Sequence, residues 1–310
     1  MVDSRNLPTF ARRVLLLCAV LLPAAAHAED KPPQLRDAVS YFQEAVLLKN
    51  RGELRQAIAH YGEALRLEEG MVDAWINRGN IFLELGETEK AFADYSSAIR
   101  VSPKNGLAYS NRGLIRHRRG ELDSAREDFN AAVKHAPQLA PARVHRGTLL
   151  NELGEYQAAL EDLNAALRLD SDSGPALHQR GVAKYGLDKL EEALADLNAA
   201  AKRLPENAQV FLDRGLAQHS LGKLPAAISD YTAAIKLQEE LPAGYNNRGL
   251  ARHELGEHAE AEADFSRAIE LAPNFADAWF NRALARKSLG KLEESQTDFK
   301  RALELDPSLR

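Results

Sequence analysis

Residues 242–275 read PAGYNNRGLARHELGEHAEAEADFSRAIELAPNF, and residues 276–309 read ADAWFNRALARKSLGKLEESQTDFKRALELDPSL. Laid one under the other, Asn247-Arg248, Gly256, Asp264-Phe265, Ala268 and Pro273 fall on Asn281-Arg282, Gly290, Asp298-Phe299, Ala302 and Pro307. The offset is 34 residues, and it continues without insertion back to Ala38. Counting each repeat from its first residue, position 15 is Gly52, Gly86, Gly120, Gly154, Asp188, Gly222, Gly256 and Gly290. Position 20 is Ala from Ala57 to Ala261 and then Ser295; position 27 is Ala throughout, from Ala64 to Ala302. Position 24 is always large (Tyr61, Tyr95, Phe129, Leu163, Leu197, Tyr231, Phe265, Phe299), and Pro103, Pro137, Pro205, Pro273 and Pro307 mark position 32.

These positions dictate a local structure. Positions 20, 24 and 27 share one face of a helix, here called helix B. Small alanines let a preceding helix A approach closely while the large side chain at 24 fills the space beside them. Glycine at 15 turns the chain between A and B, and proline at 32 keeps B from continuing. A single hairpin cannot bury its apolar face, so successive hairpins must stack. The pattern resembles the tetratricopeptide repeat (TPR) family, whose unit is a 34-residue helix–turn–helix. The resemblance covers 38–309 as eight repeats: 38–71, 72–105, 106–139, 140–173, 174–207, 208–241, 242–275 and 276–309. It implies an all-α solenoid, a right-handed superhelix of eight units. Arg143 at position 4, Asp188 at 15 and Ser295 at 20 depart from the pattern locally.

A charge ladder lies outside the general family pattern. Position 7 is Arg78, Arg112, Arg146, Arg180, Arg214, Arg248 and Arg282; position 23 is Asp94, Asp128, Asp162, Asp196, Asp230, Asp264 and Asp298. The first repeat breaks both together, with Glu44 and His60. In a hairpin turning near 15, positions 7 and 23 stand at similar height. Arginine's fork suits a carboxylate, so one ion pair per repeat is expected, within a hairpin or across to the next.

The resemblance further implies a concave surface lined by helix A, through positions 2, 5, 6, 9, 12 and 13, that binds protein or peptide partners. Candidates there are Asn77, Asn80, Asn111, His117, His145, Gln179, Tyr185, His219, Asn247, His253 and Asn281. Amides both donate and accept, which suits the backbone of an extended peptide. Some family members clamp a chaperone's terminal carboxylate with a base at position 5 of one repeat and bases at 2 and 6 of the repeat two further on. Here Ile76, Pro141 and His145 occupy those places, which argues against that mode. Five histidines (His117, His145, His178, His219, His253) face the expected groove, but adjacent helices pack too far apart for scattered imidazoles to converge on one metal ion. Leu303 in the last repeat stands where inner repeats hold packed aliphatics, so self-association through this end is an expectation.

The N-terminus reads differently. Arg5, Arg12 and Arg13 precede the apolar run Val14–Leu22, and Ala26-His27-Ala28 follows. This is the order of a secretory signal cleaved after Ala28, with residues 29–37 a linker. The apolar run is too short to span a bilayer, so membrane contact is expected only through an uncleaved signal. A twin-arginine variant stays open. Cys18, the single cysteine, lies inside that signal, leaving no thiol chemistry to the processed chain. A net charge of −5 without any basic block predicts no nucleic-acid partner. No nucleophile–base pair or phosphate loop stands outside the repeat, so neither enzyme activity nor a cofactor is expected. The reading is an exported scaffold, periplasmic or secreted. A chaperone-like assembly factor, a regulatory subunit of an envelope machine and a self-assembling coat are the alternatives.

Overall fold

A computed structural model describes residues 37–309; the signal segment and all of the linker but Asp37 lie outside the described residues. Among those described there are sixteen α-helices and no strand. They pair as α1 (Ala38–Asn50) with α2 (Leu54–Leu67), α3 (Val72–Glu84) with α4 (Thr88–Val101), α5 (Gly106–Arg118) with α6 (Leu122–His135) and α7 (Ala140–Glu152) with α8 (Tyr156–Leu169). Then come α9 (Gly174–Gly186) with α10 (Leu190–Arg203), α11 (Ala208–Ser220) with α12 (Leu224–Leu237), α13 (Pro242–Glu254) with α14 (His258–Leu271) and α15 (Ala276–Ser288) with α16 (Leu292–Leu305). Odd-numbered helices are the A helices. The chain falls into two compact bodies, one up to Glu68 and one from Glu69 onward. The first holds the α1–α2 hairpin; the second holds seven hairpins stacked as an all-α solenoid.

The turn at position 15 needs a backbone that ordinary side chains avoid. Its glycines have φ between 69° and 83°, and Asp188 holds the same left-handed conformation at φ 58°. A second close approach is at position 8. A Cβ on Gly113 would come 2.8 Å from Cε1 of Phe129, because the ring lies directly against the backbone of α5. The rest of the core follows the expected stripe. Every position-20 and position-27 alanine is buried, as is every large position-24 residue from Tyr61 to Phe265; burying such a side chain contributes about 1.5–3 kcal/mol. Apolar clusters run from one hairpin into the next within the second body. Ala166 and Leu167 of α8 meet Ala176 and Leu177 of α9, and that cluster continues to Ala200, Ala201 and Val210.

Helix A starts are capped by Asp37, Asn105, Ser173 and Asn207, whose side chains accept backbone N–H groups of the first turn. No described helix is long and apolar enough to cross a membrane.

Candidate functional site

The polar residues fall into two sets. In the first, each position-7 arginine grips the position-23 aspartate of its own hairpin with both arms of its fork. Arg112 Nε donates to Asp128 Oδ2 at 2.9 Å and Nη2 to Oδ1 at 2.7 Å. The same two bonds join Arg78 to Asp94, Arg146 to Asp162, Arg180 to Asp196, Arg214 to Asp230, Arg248 to Asp264 and Arg282 to Asp298. The aspartates are buried. The pairing is therefore intra-hairpin, and the remaining guanidinium nitrogen turns the other way. Nη1 of Arg146, Arg180, Arg214, Arg248 and Arg282 donates to position 25 of the preceding helix B: Asn130, Asn164, Asn198, Thr232 and Ser266. Each of these five arginines thus ties a hairpin shut and ties it to its neighbour. Further cations reinforce the carboxylates: Arg116 on Asp128, Arg143 on Asp162, Lys184 on Asp196, Arg252 on Asp264 and Arg286 on Asp298. That role accounts for Arg143, the charged residue in an apolar position.

The second set lies along the A helices and links residues 35 apart, from position 5 or 12 of one repeat to position 6 or 13 of the next. His117 Nε2 donates to Glu152 Oε2 at 2.6 Å, and His219 Nε2 to Glu254 Oε1 at 2.9 Å. His178 Nε2 donates to Asp213 Oδ2 at 2.7 Å, and Asn281 Nδ2 to Asn246 Oδ1 at 3.1 Å. Ser110 Oγ lies 3.0 Å from His145 Nδ1, and Tyr185 OH lies 3.1 Å from Ser220 Oγ. Shorter diagonals complete the row: Tyr95 OH and Asn111 Nδ2 both donate to Asn80 Oδ1, and Asn151 donates to Gln179. The groups expected to await a ligand are instead largely bonded to one another.

One expectation needs correction. From the second to the seventh repeat position 5 is not presented on an open surface: Ile76, Ser110, Val144, His178, Leu212 and Asn246 are buried, and of these Val144 and His178 form part of the wall of one pocket. Its side chains point between adjacent A helices, and the polar ones survive there because position 6 of the next repeat supplies a partner. Glu152, Asp213 and Glu254 each accept a hydrogen bond from a histidine of the preceding repeat. His253 meets His258 of its own repeat, ring centroids 4.6 Å apart, and burial followed by that neighbour holds its imidazole below the usual range. No metal-ligating cluster occurs among the described residues. Asn77 and Asn247 are half-buried.

The A-helix face opens into a pocket of about 410 Å³ that spans the third to fifth repeats, within the range of about 300–1,000 Å³ usual for ligand sites. Its lining is Leu114, His117, Arg118, Val144, His145, Thr148, Pro175, His178, Gln179, Leu204 and Asn207. Three of the sequence-derived candidates, His117, His145 and Gln179, converge here; the others are spread along the array. Burial, then the nearby His117 and the charge of Arg118, push the His145 imidazole down to about 4, so it is neutral at pH 7. The pocket therefore combines an apolar wall, neutral imidazole and amide groups, and one cation, Arg118, at its edge. Nothing in this arrangement activates a nucleophile. It offers shape and hydrogen bonds to a side chain with a short stretch of backbone.

Family models described as tetratricopeptide repeat and TPR repeat match residues 79–120, 111–174, 215–256, 242–275 and 276–309. The chain belongs to the tetratricopeptide repeat family. Arrays of this family generally serve as protein-interaction scaffolds and are typically not enzymes. No curated protein sequence matches the chain significantly. Solved structures share the fold: the APC/C hetero-tetramer Cut9–Hcn1 aligns at 18% identity and TM-score 0.66, over 86% of this chain and 53% of that one. A tetratricopeptide repeat protein from Parabacteroides merdae aligns at 21% identity and TM-score 0.56, over 84% and 98%. Pseudomonas aeruginosa pilF aligns at 20% identity and TM-score 0.58, over 66% and 93%. The TPR chain spans about half the length of the Cut9–Hcn1 chain it matches.

Proposed function

We propose that this TPR chain is an exported scaffold that holds an extended segment of a partner protein in the pocket of its third to fifth repeats. The observation that carries the reading is the convergence of Leu114, Val144 and Pro175 with His145, Gln179 and Asn207 around one opening on the A-helix face. A pocket of that size takes one large apolar side chain, and the flanking amides take the adjoining backbone. With His145 neutral and Arg118 charged, the preferred segment carries an apolar anchor beside a carboxylate. Because the surrounding polar groups already hydrogen-bond to one another, the site is ordered before a partner arrives, which lowers the entropic cost of binding. Export rests on the three-part pattern of residues 1–28, and places the partner in the periplasm or outside the cell.

Photo-crosslinking in intact cells tests both parts. A photoreactive residue at Gln179 should capture one discrete partner, and the same residue at Ala158, on an exposed part of α8, should not. Filling the pocket with His145→Trp should abolish the capture. Equal capture from Gln179 and Ala158 removes the binding site. A processed chain whose measured mass does not correspond to a start at Glu29 removes the export.

A further inference from the structure

The two ends of the array expose the positions that every inner repeat buries. At position 10, Ile81, Ile115, Leu149, Ala183, Ala217, Ala251 and Ala285 are fully buried, whereas Leu47 in the first repeat is 50% exposed. At position 24, seven large side chains are fully buried, whereas Phe299 in the last repeat is 36% exposed and its neighbour Leu292 is 58% exposed. Inside the second body these two positions belong together: Ala285 packs on Ala261 and Phe265, and Ala183 on Ala159 and Leu163. Around Phe299 the unpartnered face forms a groove of about 650 Å³, with Leu284, Leu292, Ser295 and Leu303 among its walls. An apolar groove of this kind could take many occupants; the charges select one.

At inner joints the polar contact has a fixed polarity. At the five joints from the third repeat to the eighth, arginine at position 7 of the following repeat donates to an uncharged acceptor at position 25 of the preceding helix B, as Arg282 does to Ser266. At the ends both partners are changed. Position 25 of the last repeat is Lys300, which lines the groove, and position 7 of the first repeat is Glu44. Had Lys300 been followed by an ordinary repeat, two cations would face each other. Opposite Glu44 it finds a carboxylate. The reversal at one end is matched by the reversal at the other, and the pair is complementary only when the last repeat of one molecule meets the first repeat of another.

We propose that the groove beside Phe299 receives helix α1 of a second copy, in the register of an inner joint, with Leu47 on Ser295 and Phe299 and Glu44 on Lys300. The contact is heterologous, so it propagates head to tail into chains or closes into rings. It lies apart from the pocket of the third to fifth repeats, which stays open in every copy.

Sedimentation velocity on the protein as expressed and processed in cells, from micromolar to near-millimolar concentration, tests this directly. Wild-type chain should grow beyond the dimer with concentration. Glu44→Lys and Lys300→Glu should each move the association midpoint at least tenfold upward, and the double variant Glu44→Lys/Lys300→Glu should return it to the wild-type range. Polarity is tested by blocking one end at a time: Leu47→Asp and Phe299→Asp should each be monomeric alone and form a dimer, and nothing larger, when mixed. Unchanged helical dichroism and melting verify that each variant is folded. A wild-type chain that stays monomeric throughout overturns the proposal, whether the groove is covered by another protein or by residues preceding Asp37. So does association that is indifferent to both charge reversals, or a mixture of blocked variants that remains monomeric.

Discussion

Asp196→Ala takes one carboxylate from between two cations. Arg180 donates to it through Nε and Nη2 at 2.7 Å each, and Lys184 Nζ stands 2.9 Å from Oδ2. The side chains of Arg180 and Asp196 are 22% and 8% exposed, so the pair is mostly withdrawn from water. Unit charges about 4 Å apart attract by about 4 kcal/mol at an effective dielectric of 20, most of which offsets desolvation. Removal of the carboxylate leaves Arg180 and Lys184 facing each other and should cost about 3 kcal/mol. Arg180→Ala is milder, about 2 kcal/mol, because Lys184 still neutralises Asp196; part of that loss is the bond from Arg180 to Asn164 in the preceding hairpin. The double variant should cost only about 3.5 kcal/mol, a coupling of roughly 1.5 kcal/mol. Urea unfolding followed by far-ultraviolet dichroism measures the four species, provided their m-values agree, since an array of repeats can lose cooperativity. Hydrogen exchange in α9 and α10 gives the local counterpart. A coupling below about 0.5 kcal/mol refutes the reasoning, because it would mean that both charges are solvated independently.

The turn residues make a paired test. Gly222→Ala meets no neighbouring atom but must hold φ near 69°, and should cost about 1 kcal/mol, whereas Asp188→Gly relieves the same strain and should stabilise by a few tenths; thermal melts of the two variants should move in opposite directions. His145 makes stability depend on pH. Its imidazole is held at about 4 when folded against an ordinary 6.5, so the folded state prefers the neutral form. The contribution is fully present above pH 6.5 and is lost as pH falls from 6.5 towards 4, up to about 3 kcal/mol at 1.36 kcal/mol per unit. The difference in urea midpoint between wild type and His145→Gln should therefore narrow across that window, and a constant difference contradicts the buried imidazole.

Helix boundaries and the core stripe were legible because they depend on spacing alone. A glycine every 34 residues, with alanine at 20 and 27, leaves one arrangement in which A and B can pack, and each A helix begins on the first residue of its repeat. The partner of each ladder arginine was only half legible. The joint substitution to Glu44 and His60 linked positions 7 and 23, but a strictly periodic sequence cannot distinguish a contact within one repeat from the equivalent contact with the next. Geometry separates them: both arms of the fork reach the carboxylate of the same hairpin, and the third nitrogen reaches position 25 of the one before.

The groove was misread for a related reason. Position 5 holds Ser110, His178 and Asn246, residue types that ordinarily signal a wet surface, yet all three are buried. Their polarity is satisfied at a spacing of 35, one more than the repeat, because an A helix meets its successor slightly out of step. Read at 34, His117 and Glu152 look like unrelated groove charges; read at 35, they are a hydrogen-bonded pair, as are His219 and Glu254. The signal was present as a histidine at position 12 accompanied by a glutamate at position 13 of the next repeat. This inter-repeat row also limits where a partner can bind. Where position 6 or 12 is occupied by its neighbour, a ligand must displace an existing bond and gains little. Where His145, Gln179 and Asn207 surround an apolar opening, it gains burial as well, which is why the pocket of the third to fifth repeats, rather than the whole row of A helices, is the place to look for a bound segment.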